Sequence, residues 1–112
     1  MNKKEVIIER EKTRSRFHMR GMPRHIKRAK NAIYFTPANG LKHELKKAEV
    51  CYNLLKERKW FITEAVDNKL ELIRDVVCLD DGTIYEIETC KHRAKRFEQD
   101  PEKSKIIVVN VE

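Results

Sequence analysis

Between residues 41 and 111 the spacing of apolar residues changes period twice, and that change restricts the chain to a mixed α/β fold. Leu41, Leu45, Ala48, Tyr52 and Leu55 recur every three or four residues, one stripe of an α-helix running to about residue 58. β-formers then crowd into residues 60–66, closed by the turn pair Asp67-Asn68. A second such run covers residues 69–79 and a third covers 83–89; Asp80-Asp81-Gly82 between them predicts a hairpin. Helical spacing returns over residues 90–99 through Cys90, Ala94 and Phe97, and Asp100-Pro101 ends it. The unbroken run Ile106-Ile107-Val108-Val109, within residues 105–111, is that of a strand buried on both faces. The order is αβββαβ.

A length of 112 residues suits one compact domain and excludes a multidomain enzyme. With 40% hydrophobic and 38% charged residues, the chain has too much apolar sequence for disorder, and nowhere does it reach the roughly 20 consecutive apolar residues of a membrane span. Lys3 and Lys4 are followed by Glu5, Glu9, Arg10 and Glu11 rather than an apolar stretch, so no secretory signal is expected and the location is read as cytoplasmic. Cys51, Cys78 and Cys90 show no CxxC spacing and leave one thiol over in any disulfide scheme; they read as small buried or half-buried thiols.

The net charge of +7 is unevenly placed, since residues 1–30 hold eleven Lys and Arg against three Glu. Residues 1–40 therefore read as a basic N-terminal arm with short strand-like runs at Val6-Ile7-Ile8 and at residues 32–36, and residues 41–112 as the core. Such an arm suits a polyanionic partner through counterion release, or is simply a solvated tail.

The carboxylates are the second constraint. Alternation puts Glu86 and Glu88 on one face of the third strand, and a two-residue turn at Asp81-Gly82 would pair Val77 with Glu86 and Asp75 with Glu88. Three carboxylates would then share a small area, at a cost in repulsion and raised pKa values unless a cation holds them. A three-residue turn would send Asp75 to the other face. Oxygen-only clusters suit hard divalent ions such as Mg²⁺ or Mn²⁺; the plainer alternative is a wet, charged sheet face. Glu44 lies about 60° from the centre of the helix stripe and so borders the buried face, or it pairs with Lys47 on the surface, while His43 points nearly opposite.

These residues resemble the restriction endonuclease-like, or PD-(D/E)XK, nuclease superfamily. Its αβββαβ core has a central mixed sheet flanked by helices, with an acidic residue in the first helix, an Asp in the second core strand and (D/E)XK in the third. The resemblance covers residues 41–111 and rests on Glu44 in Leu41-Lys42-His43-Glu44-Leu45, Asp75 in Ile73-Arg74-Asp75-Val76-Val77, and Glu86 in Tyr85-Glu86-Ile87-Glu88. Arg74 stands at the motif's Pro, a common and structurally unimportant change, and Glu88 stands where Lys is usual. Some restriction enzymes of similar pattern carry Glu there and remain active. Lys91 could replace the missing cation, as migrated lysines do in the superfamily.

The resemblance implies hydrolysis of DNA phosphodiesters by a Mg²⁺- or Mn²⁺-dependent endonuclease. Asp75, Glu86 and Glu44 would be its metal ligands, Glu88 a ligand or general base, and Lys91 a stabiliser of phosphate charge. The DNA backbone would meet Arg14, Arg16, Arg20, Arg24, Lys27, Arg28 and Arg93, and a homodimer would allow both strands to be cut. Glu64 either supports the site or is an exposed strand charge. Tyr34, Phe35 and Trp60 either stack on bases or pack in the core. The alternatives are a catalytically inactive nuclease-fold DNA-binding protein, favoured by the missing Lys, and a protein-protein adaptor whose arm is only solubilising.

Overall fold

The computed structural model describes residues 1–22, 29–89 and 95–111. It is a mixed α/β fold with two α-helices, α1 (Lys3–Arg16) and α2 (Leu41–Lys56), and one five-stranded sheet. The strands are β1 (Phe17–Met19), β2 (Phe61–Asp67), β3 (Ile73–Cys78), β4 (Ile84–Glu88) and β5 (Ile106–Asn110), in spatial order β1-β2-β3-β4-β5. The first four are antiparallel neighbours, and β5 returns parallel to β4. Short 3₁₀ turns cover Pro37–Asn39, Lys95–Gln99 and Lys103–Lys105. No helix among the described residues is long and apolar enough to cross a membrane.

The expected helix, hairpin and final strand are all present, with three corrections. The second core helix expected over residues 90–99 lies partly outside the described residues, and its remainder, Lys95–Gln99, is a 3₁₀ turn. The strand β5 is not buried on both faces: it closes one edge of the sheet and is only half covered, with Ile107 exposed. The run Val6-Ile7-Ile8 belongs to α1, not to an edge strand. Asn2 caps that helix by accepting from the Glu5 N–H at 2.9 Å, Glu5 lies in its first turn and Arg14 and Arg16 in its last, as the helix dipole favours.

α1 has no apolar face and docks through its cations. Arg10 makes a two-pronged contact with Asp80 at 2.9 and 3.1 Å, and its guanidinium lies 3.9 Å from the Trp60 ring centre. Arg14 approaches the same ring at 5.0 Å and Lys30 at 3.6 Å. Trp60 is thus a platform for this chain's own cations. At the end of α1, Arg16 grips Asp67 at 3.1 and 2.8 Å and Glu102 at 2.9 Å, tying the helix to β2 and to the turn before β5.

Two apolar clusters cover the two sheet faces. Phe17, Met19, Ile62, Ala65, Val77, Leu79 and Ile84 form one, away from α2. Cys51 and Leu54 of α2 pack on Phe61, Val76, Cys78 and Ile87 in the other. Cys51 and Cys78 are free and buried, and burial pushes both thiols up to about 12, which keeps them un-ionised and inert.

The Arg16 contact is the most exposed to test, because Asp67 is fully buried. Burial alone would raise the Asp67 carboxyl, but the Arg16 guanidinium and the N–H groups of Lys69 and Leu70 hold it below the ordinary 3.8. Arg16→Ala should therefore lower unfolding stability by about 3 kcal/mol in urea titrations at pH 7, since it strands a buried carboxylate. The loss should be full above pH 3.8 and fade as the pH falls through the lower folded value of Asp67, where the wild type also loses the contact.

Candidate active site

α2 is turned about a third of a revolution from the orientation its apolar stripe predicts. Its buried residues are His43, Glu44, Lys47, Cys51 and Leu54, while Leu41, Leu45, Tyr52 and Leu55 face outward. His43, read as pointing away, lies against the sheet. The physical reason is that the buried side chains are mutually satisfied. Lys47 has no exposed surface, and its ammonium donates to Glu44 Oε1 at 2.9 Å and to the Tyr34 carbonyl at 2.9 Å, with Glu64 Oε2 at 3.6 Å. Glu44 also accepts from the Thr36 N–H and meets His43 Nδ1 at 2.7 Å through Oε2. Burial would raise the Glu44 carboxyl, but Lys47, the Thr36 N–H and His43 together hold it below 4.5. The Glu44–Lys47 pair of the sequence reading is therefore real, but buried.

The hairpin loop spans residues 79–82, two residues longer than expected, with Cys78 N–H donating to Thr83 and Gly82 N–H to Cys78. Pairing slips to Val77↔Ile84 and Val76↔Tyr85. A slip of two preserves the face, so Asp75 comes level with Glu86 instead of Glu88. Regular ladder pairing stops there, and side chains take over. The Asp75 N–H donates to Glu86 Oε1 at 2.9 Å, and the Ile87 N–H donates to Asp75 Oδ2 at 2.8 Å. His43 Nε2 reaches Asp75 Oδ2 at 3.4 Å.

Glu64 extends the row onto β2. Its neighbours pair as Thr63↔Val76 and Ala65↔Arg74, which sets Glu64 level with Asp75. The Glu64 φ of 44° lies in the left-handed region, a strained setting for a residue with a Cβ. Alternation breaks there: Ile62 and Ala65, three apart, both join the cluster away from α2, and Glu64 delivers its carboxylate toward Lys47. The Thr36 hydroxyl donates to Glu64 Oε1 at 2.9 Å, and Arg20 approaches the same oxygen at 3.4 Å.

Four carboxylates thus face one lysine ammonium, one imidazole and, at Glu64, the Arg20 guanidinium. The deficit falls on the strand pair. Burial first, and the nearby Asp75 second, push Glu86 up to about 7. Burial also raises Asp75. Among the described residues no three His, Cys, Asp or Glu side chains converge as ligands on one point, and Glu44, with both oxygens engaged, is not brought to Asp75 and Glu86. The donor set therefore does not fit an all-protein cage. It fits a Mg²⁺-type ion held by two adjacent carboxylates and completed by water and phosphate oxygens.

The remaining expected site residues divide. Glu88 is buried, with Oε2 3.3 Å from the mostly exposed Arg96. Arg16 and Arg14 are engaged in docking α1, and Arg20 stands half exposed beside Glu64. Lys91, Arg93, Arg24, Lys27 and Arg28 lie outside the described residues. Arg74 is a structural residue, contrary to its reading as unimportant: it is fully buried and holds Asp100 through two contacts of 2.8 and 3.0 Å. The sequence reading missed His43 and Lys47 as site residues. Their spacing from Glu44 and Cys51 along one helical face was the available signal.

Comparisons with protein-family models, with curated proteins and with solved structures each return no match.

Glu86 supplies the sharpest check on this electrostatic picture. Its folded value, about 7, lies above the ordinary 4.5, so wild-type stability should fall as pH rises through this interval. Glu86→Gln keeps the acceptor for the Asp75 N–H and removes the charge. At pH 8 without divalent ions it should be more stable than wild type by about 3 kcal/mol, and at pH 4 the two should melt alike. Millimolar Mg²⁺ or Mn²⁺ should raise the melting temperature of wild type and leave Glu86→Gln unmoved.

Proposed function

We propose that this chain is a divalent-metal-dependent endonuclease that hydrolyses phosphodiester bonds in DNA, with a restriction endonuclease-like core. The observation that carries the reading is the Asp75–Glu86 pair: a half-buried and a buried carboxylate on neighbouring strands, each accepting a backbone N–H of the other strand, with Glu86 raised to about 7 by burial and by the nearby Asp75. Asp75 and Glu86 are the residues that would hold Mg²⁺ or Mn²⁺. When bound, such an ion polarises a phosphate and lowers the pKa of water.

The chain's own residues do the positioning. Lys47 fixes Glu44, Glu44 accepts the Nδ1–H of His43, and His43 Nε2 is thereby aimed at Asp75 Oδ2. Glu44 is in this reading an orienting carboxylate rather than a ligand. Glu88 takes the proton of the attacking water, and Lys91 remains the candidate for phosphate charge. Arg20 and Arg96 are the described cations beside the carboxylates with exposed guanidinium groups, and they suit the DNA backbone.

A second reading, a DNA-binding protein of the same fold without catalysis, has its own support: Lys47 and His43 already offset part of the carboxylate charge, and Glu88 replaces the usual Lys. Cleavage separates the two. With Mg²⁺ or Mn²⁺ the wild type should cut plasmid or branched synthetic DNA, and Asp75→Ala and Glu86→Ala should each lower the rate at least about 100-fold, the order seen when a catalytic charge-stabilising group is removed. DNA retarded on a gel but never cut would establish the second reading, and variants that cut as well as wild type would remove the site.

A further inference from the structure

The apolar stripe of α2 is left outward by the burial of the face beside it. Leu41 is 73% exposed, Leu45 60%, Tyr52 63% and Leu55 47%, on a helix of 16 residues. Together with half-buried Ala48 they are spaced four, three, four and three residues apart, the a/d pattern of a helix that packs on another helix. Beside the N-terminal end of the stripe, Phe35, Pro37, Gly40, Leu41, Glu44 and Leu45 line an open, mostly apolar groove of about 430 Å³. Single exposed leucines mean little, but a continuous row of this spacing marks an interface.

We propose that α2 is the two-fold interface of a homodimer, packed antiparallel on α2 of a second copy. The occupant follows from self-complementarity. In an antiparallel pair that sets Leu41 opposite Tyr52 of the second copy, Leu45 falls opposite Ala48 of the second copy, so each large side chain meets a smaller or complementary one. Lys42 and Glu49 flank the stripe on the side away from the sheet, and both are exposed, Glu49 pairing with Lys46 at 3.2 Å. A two-fold axis brings this flank against its own copy, and in the stated register Lys42 lies two residues, about 3 Å of helix rise, from Glu49 of the second copy, within reach of the long side chains. Two reciprocal ion pairs result, and charge of this kind fixes register and orientation. Leu55 of the second copy then reaches the groove beside Phe35 and Pro37. The interface is isologous and closed, as two-fold assemblies require. It is tested independently of the proposed activity, since its readout is association and not cleavage, and it leaves His43 and Lys47 covered; Glu44 borders the groove.

Sedimentation or light scattering on the full chain tests this. At about 100 μM the wild type should be a dimer, a modest requirement for an apolar helix pair. Leu45→Glu should weaken it by roughly 100-fold, the scale of a central interface residue, while leaving the circular dichroism and melting of the monomer unchanged. Lys42→Glu and Glu49→Lys should each weaken association about 10-fold by placing like charges together, and the double exchange should restore it. A monomeric wild type at this concentration, or a dimer indifferent to Leu45→Glu, overturns the proposal. Failure of the double exchange to recover either single variant overturns the antiparallel register. Partition of a monomeric wild type onto anionic lipid vesicles, lost in Leu45→Glu, would assign the stripe to a membrane surface instead.

Discussion

A lysine ammonium with no exposed surface determines how this protein is assembled. Taking such a charge out of water costs several kcal/mol unless its hydrogen bonds are replaced, and Lys47 finds replacements in Glu44, the Tyr34 carbonyl and, at longer range, Glu64. Those partners come from the same helix, from the segment before it and from β2. Only one rotation of α2 satisfies them all. That rotation places Cys51 and Leu54 on the apolar cluster at one end of the helix and His43 and Glu44 above the carboxylates at the other. Packing and site therefore share one fastening, and neither can be shifted without breaking the other.

The strand carboxylates are held by a different device. At Asp75 and Glu86 the β3–β4 ladder opens, and each side chain accepts a backbone N–H that the regular ladder would have satisfied. If either carboxylate turned away, an amide near the core would be orphaned, at a cost comparable to the repulsion that turning would relieve. The two charges are locked together by the backbone rather than by mutual attraction. This arrangement keeps Glu86 buried beside Asp75, which is why its carboxyl is raised, and it is the feature on which the proposed metal site rests.

Much of this was legible in the sequence, and the parts that were not share a cause. The approach of Asp75 to Glu86 was legible even though the loop was misjudged, because a slip of two residues keeps the parity of pairing. Strict alternation was not kept, since Val77 joins the cluster away from α2 while Asp75 reaches His43 on α2. The helix at residues 41–56 was equally plain from its period, which however carries no absolute phase when two faces compete. Hydrophobicity assigns Leu41, Leu45 and Tyr52 inward, His43 outward and Glu44 to the border; the ion network turns the helix, and only the positions of Tyr34, Thr36 and Glu64 show why. α1 was invisible to the same rule, since a helix that docks through Arg10, Arg14 and Arg16 has no apolar stripe to detect. The left-handed φ of Glu64 leaves no mark in the sequence at all.

The same accounting changes what the excess charge means. A surplus of basic residues near the N-terminus reads at first as a surface for phosphates. Yet Arg10, Arg14 and Lys30 gather around Trp60, and Arg16 is gripped by Asp67 and Glu102, so these cations are committed to folding. Arg74, further along, is buried against Asp100. A guanidinium held by a carboxylate is not free to neutralise a phosphate, so it displaces no condensed counterion from DNA and adds little to the salt dependence of binding. Affinity for a polyanion in the described part of the chain must then come from cations that remain half exposed, of which Arg20 and Arg96 lie beside buried glutamates of the sheet. Arg20 and Arg96 differ from other exposed cations, such as Lys3, Lys12, Lys42 and Lys69, in standing beside Glu64 and Glu88, so under the proposed function a phosphate drawn to either one would arrive next to a buried sheet carboxylate.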